Sequence, residues 1–237
     1  AGFDGVQLHA GHGYLLHQFL SPATNNRKDE YGLDRFRIIG EITEAIRNAV
    51  DGMPILMKLS ADEDNDNGMT PLLAAQYCER AREAGVACCE LSYGTMDYAM
   101  NIFRGGVPVK EALQHTKALN SLSPLARTAF RTVGVGLIKR KLKSFKPLYN
   151  LDIALQVREK TSVPLALTGG VRSVADCEKA IEAGFDAVTI CRPLVREPGL
   201  VARWENGDQG PSDCSNCNLC AVYTESDEHL QCRQKEQ

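Results

Sequence analysis

One junction recurs along this chain, and it narrows the available folds more than any other feature. Cys78-Glu-Arg-Ala-Arg-Glu-Ala-Gly85 is echoed by Cys177-Glu-Lys-Ala-Ile-Glu-Ala-Gly184, and Ala183-Gly184-Phe185-Asp186-Ala187-Val188 by Ala1-Gly2-Phe3-Asp4-Gly5-Val6. Each copy reads as a helix end that passes through Gly into an apolar strand. A unit repeated in this way implies βα steps with parallel strands. Apolar runs place strands at 2–10, 54–60, 87–92, 164–168 and 187–191. Helical spacing places helices at about 35–50 behind an Asp34 cap, from Thr70-Pro71 to Gly85, at 151–161, from Ser173 to Gly184, and at 198–206. A doubly wound sheet and a (β/α)8 TIM barrel both fit this alternation, and the repeated junction favours the barrel. Five of the barrel's eight units are legible. The chain is therefore expected to hold the C-terminal five, with Ala1-Gly2 standing as the end of a helix further upstream.

The connection at 94–149 is too long for a simple turn, so it is expected to carry helices of its own at about 111–122 and 125–145. Its basic end (Lys139, Arg140, Lys141, Lys143, Lys146) reads as a solvated helix face or, alternatively, as an anion-attracting patch.

Charge and hydropathy exclude several classes. Lys plus Arg number 27 against 30 Asp plus Glu, for a net charge of −3, which argues against a nucleic-acid surface spread over the chain. No apolar run approaches the roughly 20 residues that span a bilayer. No basic segment leads into an apolar signal core. An odd total of nine cysteines then points to a reducing, cytoplasmic setting rather than to disulfides.

Four groups of residues can carry chemistry. His9, His12 and Tyr14 fall within six residues at the end of the first strand, loosened by Gly11 and Gly13. Strand C-terminal ends face a barrel's active site, where His can hold an oxygen and Tyr can deliver a proton. Structural histidines and a packing tyrosine are the alternative. Lys58 stands alone in the apolar strand Ile55-Leu56-Met57-Lys58-Leu59, so it needs an anion, either a ligand or a neighbouring carboxylate. Gly169-Gly170 opens a helix after the next-to-last strand, and Cys191-Arg192 follows the last, which is where barrels bind phosphate. Tight-turn glycines and a surface arginine are the plainer reading. Finally, Cys214-x2-Cys217-x2-Cys220-x11-Cys232 has the spacing of four thiolates around zinc or an iron–sulfur cluster.

Together these pieces resemble the old yellow enzyme family of FMN-dependent NADH:flavin oxidoreductases. Residues 2–32, GFDGVQLHAGHGYLLHQFLSPATNNRKDEYG, carry the resemblance most specifically, with His-x-x-His-x-Tyr, Phe-Leu-Ser-Pro and Asn-Arg-x-Asp-x-Tyr-Gly in order. The terminal cysteines resemble the 2,4-dienoyl-CoA reductase-like branch, whose third cysteine comes one residue later than Cys220.

The resemblance implies a partial FMN-binding barrel at 1–207, covering strands 4–8 with an insertion at 94–149, and a cluster-binding segment at 208–237. It implies an oxidoreductase that reduces a small electron-poor alkene, enone or dienoyl-CoA with NAD(P)H. In that enzyme Tyr14 is the proton donor, and His9 and His12 hold the substrate oxygen. Lys58 lies beside the flavin N1/O2 region. Gly169, Gly170, Cys191 and Arg192 hold the FMN phosphate. The four cysteines hold a [4Fe-4S] cluster, with zinc as the alternative metal. Cys191 departs from the small residue usual before that arginine, although its backbone N–H can still serve. Two open sheet edges are compatible with a homo-oligomer. Two competing readings remain: another phosphate-binding TIM-barrel flavoenzyme, which leaves His9, His12 and Tyr14 unexplained, and a non-catalytic fragment built around a four-cysteine zinc site.

Overall fold

Five parallel strands, β1 (Val6–Ala10), β2 (Ile55–Ser60), β3 (Cys88–Ser92), β4 (Leu165–Thr168) and β5 (Ala187–Thr189), lie side by side in strict sequence order. The computed structural model describes residues 2–236. All five strands form within the apolar runs, with β1 and β5 shorter than the expected 2–10 and 187–191. The unbroken order separates the two folds that the sequence leaves open. A doubly wound sheet reverses its strand order at a switch point, whereas a (β/α)8 barrel adds each strand beside the last. The sheet is therefore five consecutive units of a TIM barrel.

Side chains alternate across a strand, so the two faces of the sheet differ. One face carries Ile55, Met57, Leu59, Cys89, Leu91, Leu165 and Leu167, none more than 1% exposed. The helices Pro71–Glu83 and Leu151–Arg158 cover it and pack on each other. The opposite face is polar. Its central row, read across the register, is His9, Lys58, Glu90, Ala166 and Ala187. Sheet packing thus sorts the continuous run Ile55–Ser60 into an apolar set facing helices and a polar set facing away.

The recurring junction has one physical form. At its first copy Gly85 N–H reaches Arg82 O and Val86 N–H reaches Ala81 O. At the second, Gly184 N–H reaches Ile181 O and Phe185 N–H reaches Ala180 O. Both glycines have φ near +90° (+93° and +91°), which L side chains adopt only under strain. The residue that follows each, Val86 or Phe185, is buried and seals the helix end.

Four helical expectations need correction. The helix expected at about 111–122 is two shorter ones, Val109–His115 and Lys117–Asn120, separated by the extended Thr116. Asp34 does not cap the helix Arg37–Ala49, whose N-cap is Phe36. Its carboxylate instead takes Phe36 N–H at 3.1 Å and pairs with Arg80. The expected helix at 125–145 is a shorter run that passes through one π-helical turn at Phe130–Gly134 and ends at Lys139. The basic residues from Arg140 onward lie outside it, so they are not a helix face. Like charges in successive turns and Pro147 beyond them oppose continuation. The last barrel helix starts at Leu200, behind a separate turn at Arg192–Arg196. Among the described residues no helix is long and apolar enough to cross a membrane.

The chain divides into two compact units. The first comprises 1–102, 147–171 and 175–189, with all five strands. The second comprises 103–146, 172–174 and 190–237, with the insertion and the cysteine-rich segment.

Candidate active site

Strand β1 delivers its C-terminal end into the loop Gly11-His12-Gly13-Tyr14, and the chain there is held tightly. A side chain at Gly11 would come within 3.1 Å of Ser60, so bare backbone lies against β2. His12 sits at φ +60°, a left-handed conformation that a non-glycine residue adopts only when its surroundings compel it. Its N–H donates to Ser60 Oγ at 2.9 Å, and its carbonyl accepts Met96 N–H at 3.0 Å. Its Nε2 lies 2.7 Å from Ser92 Oγ. Ser60 Oγ in turn donates to Gly94 O at 2.9 Å. The His12 backbone is therefore fixed by β2 and the segment after β3, and its imidazole by Ser92 of β3.

His9 and Tyr14 complete the cluster. The His9 ring lies 4.9 Å from that of His12 and 5.2 Å from that of Tyr14, centroid to centroid. Tyr14 is 49% exposed, so its hydroxyl can meet a ligand. Tyr14 also precedes the helix Leu15–Leu20. Two buried contacts anchor that helix: His17 Nε2 to Glu63 at 2.6 Å, and, just past its end, Ser21 Oγ to the same carboxylate at 3.1 Å.

The electrostatics keep both rings neutral. Burial first, and then the Lys58 ammonium and His9, push His12 down to about 3. Partial desolvation and Lys58 lower His9, against an opposing pull from Glu90. At neutral pH each imidazole is a hydrogen-bond donor without a charge, suited to an oxygen on which charge develops.

This makes a prediction about stability. Folded His12 stays neutral where an unfolded histidine takes up a proton, so stability is full above about pH 6.5 and falls as pH drops from there towards about 3. His12→Asn, which tolerates the left-handed backbone, should flatten that part of a urea-denaturation profile collected against pH. An unchanged slope would mean that another group causes it.

Lys58 finds a carboxylate of the protein. Its Nζ lies 2.7 Å from Glu90 Oε1, its register partner on β3. Ser60, Ser92 and Glu90 were not singled out in the sequence. Glu90 could have been, because a lone charge within Ala87-Cys-Cys-Glu-Leu-Ser92 mirrors the lone Lys58 in the strand before it.

The phosphate candidates fall in different units. In the first, Gly169 and Gly170 follow β4 with φ +113° and +86°. A Cβ at Gly169 would stand 2.5 Å from Asn150 Nδ2 and 2.7 Å from the Tyr149 ring, and Asn150 Nδ2 donates to Thr168 O at 2.9 Å. In the second, Cys191 is exposed and precedes the helix Arg192–Arg196. Arg192 is half-buried, not a free surface cation. Its guanidinium donates to Arg104 O at 3.0 Å and to Asn218 Oδ1.

Cys214, Cys217, Cys220 and Cys232 line one hollow in the second unit, together with Arg192 and Arg196. Asn216 and Asn218 alternate with the cysteines at φ +55° and +65°, turning the chain sharply between them. Gly106 N–H donates to Asn216 O at 2.8 Å and Asn218 Nδ2 to Gly106 O at 2.9 Å, pinning that loop to the insertion. Burial, reinforced by Cys214, pushes the Cys220 thiol up to about 11, with Arg192 opposing. As they stand, no three His, Cys, Asp or Glu residues among those described are arranged to hold a metal ion. The donor set nonetheless fits a thiophilic metal, which would supply the charge that ionises the thiols.

Comparison with known proteins places this geometry. The profile of the NADH:flavin oxidoreductase / NADH oxidase family matches residues 1–141, and that of a histidine biosynthesis protein family matches 146–211. The 4,4'-dithiodibutanoate disulfide reductase of Rhodococcus erythropolis is 32% identical over 94% of this chain and 56% of its own length. An NADPH dehydrogenase of Geobacillus sp. (strain WCH70) is 34% identical over 67% of this chain and 45% of its own. The chain thus spans about half the length of these relatives. Among solved structures, a 2-naphthoyl-CoA reductase complex superposes with a TM-score of 0.69 at 20% identity, over 98% of this chain and 31% of the other. The old yellow enzyme homologue from Zymomonas mobilis gives 0.56 at 20% identity, over 95% and 52%. At such identities the structures speak for the fold alone.

Proposed function

Because the chain belongs to the NADH:flavin oxidoreductase / NADH oxidase family, we propose that its loop after β1 is the reducing site of an NAD(P)H-dependent flavoenzyme acting on an electron-poor alkene. The observation that carries this reading is His12, held in a strained left-handed backbone with its ring fixed beside His9 and Tyr14. A packing histidine does not require such a constraint.

The polar face suits FMN: cation, imidazoles and hydroxyls gather at the C-terminal ends of β1–β3, and bare glycine backbone follows β4. FMN, held on this face, would supply the hydride chemistry that links NAD(P)H to the alkene. The protein's own residues do the rest. His9 and His12, both neutral, donate to the substrate oxygen as negative charge builds on it. Tyr14 delivers its phenolic proton to the α-carbon. Lys58 would hold a cation beside the flavin, where it would favour negative charge on the reduced ring. Each unit offers phosphate-binding groups of its own, the bare backbone at Gly169 and Gly170 in the first and the Cys191 N–H with Arg192 in the second.

In this reading residues 1–207 serve the flavin and 208–237 hold a metal through Cys214, Cys217, Cys220 and Cys232. We assign that metal as a [4Fe-4S] cluster, because four closely spaced cysteines in a reducing setting are its usual ligands.

An absorbance spectrum of the purified full chain tests both assignments. Flavin bands that bleach on anaerobic addition of NADPH or NADH and return on addition of an enone are expected. A broad iron–sulfur shoulder, abolished in Cys217→Ser, should underlie them. A colourless protein carrying one zinc per chain would overturn the flavoenzyme reading.

A further inference from the structure

We propose that Glu90 is a positioning residue of this site, a buried carboxylate that fixes the Lys58 ammonium on the inner face of the sheet and sets the charge it presents there. The inference rests on the reading of Lys58 as a flavin-facing cation and extends it to a residue that touches neither flavin nor substrate.

The geometry is that of a hub. Glu90 Oε1 accepts from Lys58 Nζ at 2.7 Å and from Thr189 Oγ1 at 2.9 Å, and Glu90 Oε2 accepts from Gln7 Nε2 at 2.9 Å. A single carboxylate on β3 thus collects donors from β2, β5 and β1. The strand between β3 and β5 contributes Ala166 at the level of Glu90. That small side chain leaves room for Thr189 to reach across β4.

The two charges are not equally placed. The Glu90 side chain is 6% exposed and that of Lys58 is 23% exposed. The carboxylate is the buried foundation and the Lys58 side chain the more accessible partner, directly opposite His9 in the register. Burial alone would raise the Glu90 carboxyl, but the Lys58 charge, with Gln7 and Thr189, holds it below the usual carboxylate range. A purely architectural role explains this poorly. An apolar pair of similar volume commonly holds a sheet as well as a buried ion pair does, since desolvation consumes most of the Coulombic gain. What an apolar pair cannot do is keep an ammonium charged and aimed beside two neutral histidines.

The test uses Glu90→Gln in the full chain, which keeps the side chain's shape and removes its charge. Read by NMR without flavin, the Lys58 ammonium protons, slowed in exchange with water by the Glu90 hydrogen bond, should exchange faster in Glu90→Gln. The reciprocal variant, Lys58→Met, should raise the Glu90 carboxyl midpoint by roughly 1–3 pH units, and it serves if Glu90→Gln does not fold. In the flavin-loaded chain the flavin midpoint potential should move positive in Glu90→Gln. The same change made in a Lys58→Met background should move it less, because the unpaired Glu90 then carries only part of its charge. Unchanged Lys58 ammonium exchange in Glu90→Gln, or an unshifted Glu90 midpoint in Lys58→Met, overturns the proposal. A wild-type chain that retains no flavin would instead sink the assignment of the site, while the two NMR measurements still decide whether Glu90 holds Lys58.

Discussion

Replacing Tyr14 by Phe should slow turnover of an enone by roughly 10²- to 10⁴-fold, the usual contribution of a positioned general acid, while flavin reduction by NAD(P)H stays close to the wild-type rate. The asymmetry follows from position. Tyr14 lies at the end of the β1 loop, 49% exposed, with its ring 5.2 Å from His9, and its hydroxyl is the polar atom that the change removes. The ring remains, so packing against His9 and the start of the Leu15–Leu20 helix should survive. Stopped-flow absorbance separates the two half-reactions by following flavin bleaching under NADPH and recolouring under enone. Equal loss in both would place Tyr14 in binding rather than in proton delivery.

Gly169→Ala should cost roughly 2–6 kcal/mol of unfolding free energy and release the flavin. Two causes combine. At φ +113° an L side chain is strained, which costs on the order of 1–3 kcal/mol. The new methyl would also stand 2.5 Å from Asn150 Nδ2 and 2.7 Å from the Tyr149 ring, an overlap worth about 1–3 kcal/mol if the neighbours yield. Neither neighbour gives way freely. Asn150 donates to Thr168 O at 2.9 Å, and the Tyr149 hydroxyl donates to Ile102 O at 2.8 Å. Urea denaturation monitored by tryptophan fluorescence and flavin release would measure both effects. Wild-type stability together with full flavin retention would show that this loop is neither strained nor in use.

How far the site could be read in advance depended on where each signal lay. His9, His12 and Tyr14 fall within six residues, so local spacing exposed them. Lys58 was visible because a charge in an apolar strand demands a partner. The partner was not visible, since Glu90 lies 32 residues further on and meets Lys58 only through the β2–β3 register. Ser60 and Ser92 were opaque for the same reason. A serine at a strand end is unremarkable in sequence and becomes specific only when His12 is folded over it. Asp34 is no cap because its carboxylate pairs with Arg80, whose guanidinium approaches from another helix and is invisible in local sequence. The helix expected at 125–145 ends at Lys139, because repulsion among the basic residues that follow outweighs the apolar spacing.

The sequence by itself determined the elements of this protein and their type. Helical spacing, strand runs and the recurring Gly junction are local, and local backbone sterics suffice to enforce them. It also placed four cysteines at ligand spacing and two histidines with a tyrosine at a strand end. The tertiary structure alone decided which residues share a face and a row. Strand register is a non-local property, set when Ile55, Met57, Leu59 and Leu91 are buried together against helices. That burial turns His9, Lys58 and Glu90 to the opposite face in a single line, and so assembles a charged, hydrogen-bonded site from residues that are strangers along the chain.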